Sequence, residues 1–362
     1  MKRILVLLFA AAWLLAGAGE PVWHDASALP LYGTLEPDAQ ARFSRLPDCL
    51  RDSVREELWN LGLNSAGLSV RFASDSPQLW VKWHSRNKFG MNHMTDTGVR
   101  GLDLYMLQPD SSWTFVNSGR PSRASTSSRS RLIQNMDSGV MREYCLFLSL
   151  YDGVDSLFVG TDSASVLTGP LRELPVRERP VVMYGTSILQ GGCATRPGMA
   201  HTNVLQRMLN REVINLGFSG NARLDPEIAD LMATADASLF IVDALPNCTA
   251  DVVDERMDAF LDRIRAVRPH TPVLLVESPL FPIMRYDREV EASINDKNGR
   301  LRAIYERRSA DDPNLYYFEG ERVLGPELES TVDNYHLTDA AFEGFARRLY
   351  SEINYILNKP LQ

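Results

Sequence analysis

Val181-Val182-Met183-Tyr184-Gly185-Thr186-Ser187-Ile188 runs from four apolar residues into a glycine and two hydroxyl residues, and Gly191-Gly192 follows three positions on. A short apolar run that ends at glycine reads as a buried strand of a parallel sheet. A serine where such a strand breaks projects from its carboxyl end, the side on which open α/β sheets bind ligands. Serine also serves there as a helix cap, so a nucleophile reading needs a base, a carboxylate and oxyanion donors from elsewhere in the chain.

Outward from this stretch the chain has two rhythms. Downstream, apolar runs at 181–184, 213–216, 239–242, 273–276 and 315–318 alternate with segments of helical apolar spacing such as 250–267. Thr338-Asp339 then caps a final helix running toward Leu357. Strand and helix in alternation predict a doubly wound parallel sheet with right-handed crossovers. Upstream, short alternating runs at 68–73, 79–83, 102–107, 113–116, 143–150 and 156–159 are punctuated by Asp, Ser, Gly and Asn. That density predicts an antiparallel β-sandwich or jelly roll. The Ser/Arg-rich stretch from Ser118 to Arg131 reads as a solvated loop, and prolines and charges at 170–180 read as a linker.

Lys2-Arg3, an apolar run from Ile4 to Leu15 and then Ala16-Gly17-Ala18 form the pattern of an export signal cleaved after Ala18. The apolar run is too short to span a bilayer, and no later stretch is apolar for long enough. The expected organisation is therefore a signal peptide at 1–18, a β-sandwich at 19–169, a linker at 170–180 and an α/β domain at 181–362, in a periplasmic or secreted protein. Loss of Lys2 and Arg3 with the signal takes the net charge from -8 to -10. This argues against nucleic acid as a partner and toward a substrate of little charge. Cys49, Cys145, Cys193 and Cys248 allow up to two disulfides in an exported chain. Their spacings and the six scattered histidines suggest no zinc motif, and no metal is expected.

The partners that Ser187 needs occur after later strands. Asp333 stands three residues ahead of His336, close enough to curl back and accept Nδ1–H while Nε2 takes the serine proton. After the second strand comes Asn215-Leu216-Gly217-Phe218-Ser219-Gly220-Asn221, a turn in which glycine lets an amide point into the crevice. After the third comes Asp243-Ala244-Leu245-Pro246-Asn247-Cys248, from which Asn247 can aim its amide at the same point. Asn247-Cys248-Thr249 also fits a glycosylation acceptor, although a glycan there would block the crevice.

Serine, glycine, asparagine and Asp-x-x-His, each after a predicted strand and in that order, resemble the four blocks of the SGNH hydrolase superfamily, the GDSL-type serine esterases. The resemblance implies a flavodoxin-like three-layer domain with a five-stranded parallel sheet. It implies Ser187 as nucleophile, His336 as base, Asp333 as its orienter, and an oxyanion hole from Ser187, Gly220 and Asn247. Thr186, Pro246, Cys248 and Leu337 depart from the usual Asp, Gly, Asp and Pro of those blocks, at positions that do not carry the chemistry. Gly101-Leu102-Asp103-Leu104-Tyr105 resembles the GxDLY motif of an amino-terminal domain found with bacterial SGNH-type esterases. Asp103 and Tyr105, opposite Leu102 and Leu104 on that strand, and His93 upstream are candidates for the substrate rim or the domain interface. In the strand order the resemblance implies, Cys193 and Cys248 leave adjacent strand ends and are candidates for a disulfide; Cys49 with Cys145 is a weaker pair. The expected activity is cofactor-free acyl transfer to water, on an O-acetylated carbohydrate. Alternatives are a lipase or thioesterase using the same residues, or a carbohydrate-binding protein with a vestigial site.

Overall fold

In the computed structural model the described residues are 20–36, 43–172, 179–326 and 329–359. The proposed signal peptide lies outside them, as does most of the expected linker.

The first half folds into two antiparallel sheets. Strands β1 (Val22–Asp25), β4 (Leu79–Ser85), β7 (Ser127–Ile133) and β9 (Val154–Thr161) form one, in the order β1-β9-β4-β7. Strands β3 (Ser69–Ser74), β5 (Leu102–Leu107), β6 (Trp113–Gly119), β8 (Arg142–Phe147) and β10 (Leu167–Thr168) form the other, in the order β10-β3-β8-β5-β6, with β2 (Leu31–Tyr32) also on β3. Alternate residues meet between the sheets: Val70, Phe72, Leu104 and Leu146 from one pack with Val81, Trp83, Leu157 and Val159 from the other. This is the expected sandwich.

The Ser/Arg stretch is a correction. Its first two residues close β6, and most of its second half is β7, paired along β4 from His84↔Ser127 to Leu79↔Ile133. Its apolar pattern is weak because β7 is at the sheet edge and presents arginines outward. Arg129 and Arg131 lie 4.7 and 5.0 Å from the Trp80 ring centroid, so cation–π contacts replace the apolar signal of an inner strand.

The second half is a parallel sheet of β11 (Val181–Gly185), β12 (Val213–Gly217), β13 (Leu239–Asp243), β14 (Val273–Val276) and β15 (Leu315–Phe318), in the order β12-β11-β13-β14-β15. Both faces are covered, which explains the continuous apolar runs. Val182, Tyr184, Phe240 and Val242 face one layer, which holds the helices Pro226–Thr234 and Ala250–Val267. Val181, Met183, Leu239 and Ile241 face the other, which holds His201–Leu209 and Asp339–Leu357.

The two halves share more than a border. Leu46, Leu58 and Trp59 belong by sequence to the amino-terminal part yet pack in the core beneath Val182 and Ile214. Beside them Arg45, 1% exposed, donates to the carbonyl oxygens of Asn64 (3.0 Å), Leu61 (2.7 Å), Asn215 (3.2 Å) and Gly217 (2.6 Å). Burial lowers its guanidinium to about 9, still cationic at neutral pH. Desolvating such a cation costs several kcal/mol. Hydrogen bonds from a charged donor contribute about 1.5–3 kcal/mol each, enough together to offset that cost. Replacement by Met leaves the four carbonyls without this donor. We expect Arg45→Met to lower the unfolding free energy by on the order of 3 kcal/mol, read from urea denaturation. A change below about 0.5 kcal/mol would show that the contact is dispensable.

Candidate active site

Thr186 accepts from the Ile188 N–H at 3.3 Å and caps the short helix Ser187–Gln190, which begins at the candidate nucleophile. Thr is a competent N-cap, so its departure from the usual Asp keeps the local geometry. The helix ends after one turn at Gly191, whose φ of 101° is a left-handed conformation that favours glycine. Gly192 must also stay small, because a Cβ there would meet the Tyr151 hydroxyl at 2.7 Å and His336 Cδ2 at 3.0 Å.

The loop after β15 supplies the other half. One oxygen of Asp333 accepts from the backbone N–H groups of Tyr335 (3.1 Å) and His336 (2.8 Å), and the other lies 2.8 Å from His336 Nδ1. His336 Nε2 is 2.9 Å from Ser187 Oγ. The Asp-x-x-His spacing thus lets one carboxylate brace its own turn and hold the ring. Partial desolvation would raise the Asp333 carboxyl, but the His336 N–H, the His336 ring and the Tyr335 N–H outweigh it and the net shift is downward. The carboxyl stays ionised, as an orienter requires. Asp243, at the end of β13, has the opposite fate: complete burial pushes its carboxyl well above the usual range. His201 is also unsuited to the task, since burial against Phe342 and Phe345 lowers it to about 3 and keeps it neutral.

Ser187, Gly220, Asn247 and His336 line one cavity of about 590 Å³. Gly220 sits at φ +68° in a turn closed by the Asn221 N–H to the Phe218 carbonyl at 2.9 Å, and a Cβ there would meet nothing within 4 Å. Asn247 ends a single 3-10 turn, Leu245–Asn247, with its side-chain oxygen 3.4 Å from the Ala222 N–H, an orientation that leaves the amide N–H groups for other acceptors. The chain therefore brings together a hydroxyl, an imidazole, a carboxylate and an amide side chain around one opening. Such a set can move a proton from serine and hold negative charge on a carbonyl oxygen.

Asp103 and Tyr105 are placed elsewhere. Asp103 is fully buried and accepts from Arg196 (2.8 Å), the Gly198 N–H (2.8 Å) and Ser118 Oγ (2.7 Å). The Tyr105 hydroxyl is 2.7 Å from the same Arg196, and Arg207 stacks on its ring at 4.0 Å. They are struts between the sandwich and the turn that follows the nucleophile helix, and they do not line the cavity. The strand alternation places them opposite Leu102 and Leu104 as expected, but the face they occupy is the domain interface. His93 stands beside His336, ring centroids 5.6 Å apart, and is likewise not among the lining residues.

The disulfide candidates are corrected too, since all four cysteines are free. The tight turn at Gly191-Gly192 carries Cys193 toward Asp333, whereas Cys248 faces the carbonyls of Ala222 and Ala244 at 3.6 and 3.5 Å.

Sequence reasoning missed Gln190. Gln190 donates to the Leu150 carbonyl of the sandwich (3.0 Å) and accepts from the Ser219 N–H (3.0 Å), joining the first domain to the glycine turn. Its only advance signal is an amide in an otherwise apolar turn. The cavity also receives Phe281 and Tyr335, packed edge-on at 5.3 Å, with Asp287, Glu289 and Lys297.

The flavodoxin-like strand order and this constellation define an ester hydrolase of the SGNH type. Residues 178–354 match the GDSL-like Lipase/Acylhydrolase family, and residues 21–167 match the GxDLY domain, described as the N-terminus of Esterase_SGNH_hydro-type proteins. The chain belongs to this family, in the branch that carries the GxDLY domain. It is similar to a protein described as a GDSL-like lipase from Bacteroides ovatus ATCC 8483, at 29% identity and a TM-score of 0.86, over 94% of this chain and 99% of that one. The fold is shared with the salicylyl-acyltransferase SsfX3 from a tetracycline biosynthetic pathway, at 17% identity and a TM-score of 0.74, over 94% of this chain and 99% of that one. It is also shared with a family two carbohydrate esterase from Cellvibrio japonicus, at 13% identity and a TM-score of 0.56, over 93% and 98% of the two chains. No curated protein sequence matches the chain.

Two outcomes separate the roles above. Asn247→Ala should lower kcat for p-nitrophenyl acetate by on the order of 100- to 1000-fold, with a greater loss for Ser187→Ala; wild-type rates in Ser187→Ala would remove the serine from the chemistry. Asp103→Ala should cost about 3 kcal/mol of stability by stranding Arg196 while KM stays unchanged. A large rise in KM at unchanged thermal stability would instead make Asp103 a substrate contact.

Proposed function

We propose that this protein is an exported acetylesterase acting on an O-acetylated carbohydrate through a Ser187-His336-Asp333 acyl-enzyme mechanism. The observation that carries the reading is the unbroken relay from Asp333 through His336 to Ser187 Oγ, opening on the cavity that Gly220 and Asn247 also line.

His336 takes the Ser187 proton as Oγ attacks the ester carbonyl. The tetrahedral oxyanion is met by the Ser187 and Gly220 N–H groups and the Asn247 amide. His336 then gives its proton to the departing sugar hydroxyl, leaving acetyl on Ser187. A water, deprotonated by His336, attacks that acyl group, and its collapse releases acetate and restores the serine. Asp333 keeps the ring in the tautomer that both steps need.

The cavity offers contacts suited to a sugar alcohol. Phe281 and Tyr335 offer an aromatic face, while Asp287 and Glu289 supply acceptors suited to sugar hydroxyls. The same two carboxylates outnumber Lys297 in the cavity, and with the net negative charge of the chain they disfavour the phosphates of an acyl-CoA. Among the described residues no helix is long and apolar enough to cross a membrane. Export rests on the amino-terminal sequence pattern alone.

Acetate release from a panel of acetylated oligosaccharides, compared with p-nitrophenyl esters of increasing chain length and with acetyl-CoA, tests the reading. We expect turnover of acetylated sugars by the wild type and none above background with Ser187→Ala. Preference for long acyl chains or for the thioester would overturn the carbohydrate assignment. Absence of turnover on every ester, with sugar binding retained, would point to a vestigial site.

A further inference from the structure

Cys193 is spent neither on a disulfide nor on the relay, yet its thiol lies against the relay. His93, Cys193, Asp333 and His336 place one donor atom each within 4.8 Å of all the others. The four residues come from three separate parts of the chain. His93 follows β4, Cys193 follows the nucleophile helix, and Asp333 with His336 belongs to the loop after β15. Cys193 is held at φ +72°, a left-handed conformation costly for a residue with a side chain. The Ala194 N–H to Gly191 carbonyl bond, at 3.1 Å, ties this turn down.

We propose that these four side chains form an inhibitory site for a borderline-soft divalent cation such as Zn²⁺. The inhibitory half of the proposal rests on the relay of the proposed function; the binding half does not.

The donor set is the argument for the class of ion. One thiolate, two imidazoles and one carboxylate are zinc ligands, whereas calcium and magnesium prefer oxygen alone. Zinc bonds of about 2.0–2.3 Å set neighbouring donors roughly 3.3–3.8 Å apart in a tetrahedron. From separations of up to 4.8 Å, the donors need to close by about 1–1.5 Å. His93 is half-buried and Asp333 exposed, so these two side chains have room to move and an ion has a path in, while Cys193 is 4% exposed and anchors the inner end.

Burial and the nearby Asp333 push the Cys193 thiol up to about 12, so the free protein carries it protonated. On binding, the sulfur–zinc bond forms as the thiol proton leaves to solvent, with no change of oxidation state. A cation held there engages His336 and Asp333 together. On Nε2 it takes the lone pair that would receive the serine proton; on Nδ1 it moves the ring proton to Nε2, which then has no lone pair for the serine proton. In both cases the base is lost. Chelation returns both residues to the relay.

Cobalt is the spectroscopic probe and zinc the functional one. Co²⁺ added to the wild type should give a near-ultraviolet sulfur-to-cobalt charge-transfer band, retained in Ser187→Ala and Cys248→Ser and lost in Cys193→Ser. Zn²⁺ should inhibit p-nitrophenyl acetate hydrolysis and EDTA should restore it. With each rate normalised to its own zinc-free value, Cys193→Ser and His93→Ala should each need more than about tenfold more zinc for half-inhibition, since even outer-shell changes cost about that much in metal affinity. His93→Ala changes a partly exposed loop residue, so it keeps the test open should Cys193→Ser fold poorly. A wild type without the cobalt band, or a band that survives Cys193→Ser, would overturn the site. Zinc inhibition equal in wild type and both variants would overturn its inhibitory role. An esterase-inactive protein that still shows the Cys193-dependent band would sink the proposed function and leave the metal site standing.

Discussion

Parallel pairing of β11 with β12 and β13 sets Gly185 beside both Gly217 and Asp243, and three of the candidate groups leave the sheet from that line. Ser187 follows Gly185 by two residues, Gly220 follows Gly217 by three, and Asn247 follows Asp243 by four. A one-residue slip would exchange the faces of an entire strand, sending Val182 and Tyr184 into the layer that holds Val181 and Met183. Burial on both faces therefore fixes the register, and the register fixes which loops meet. The chemistry of the site is a consequence of apolar packing below it.

The sandwich acts on that same edge from the other side. Arg45 reaches the Asn215 and Gly217 carbonyls at the end of β12, Gln190 links Leu150 to Ser219, and Asp103 grips Arg196 and Gly198. Arg45, Gln190 and Asp103 do not line the cavity, and each bears on a loop that does or on its immediate neighbour. The one-turn helix that begins at Ser187 has little stability of its own. The amino-terminal domain supplies the bracing that the turn lacks, which gives the GxDLY segment a structural role at a distance from substrate.

Legibility in the sequence followed how local each cause was. The five parallel strands were readable because each is a continuous apolar run, and Asp333 with His336 because three residues of one loop suffice to join them. The strand Ser127–Ile133 was not, since it sits at an edge and covers Trp80 with arginine side chains in place of aliphatic ones. The interface role of Asp103 was half readable: strand alternation told which way it points, but not that Arg196, 93 residues later, would be waiting. The surroundings of Cys193 were not readable, because the left-handed turns at Gly191 and Cys193 redirect the chain, and the position after a strand end does not encode that redirection.

By itself the sequence determined the two architectures and the order serine, glycine, asparagine, Asp-x-x-His, because apolar periodicity and short-range turn chemistry act within a few residues. Only the tertiary structure decided that Arg45 and Gln190 support the turn that carries Gly220, that Asp103 and Tyr105 are struts, and that Cys193 and His93 stand beside Asp333 and His336. Those outcomes depend on contacts between segments tens to hundreds of residues apart, where the deciding quantities are strand register and the burial of polar groups that must find partners.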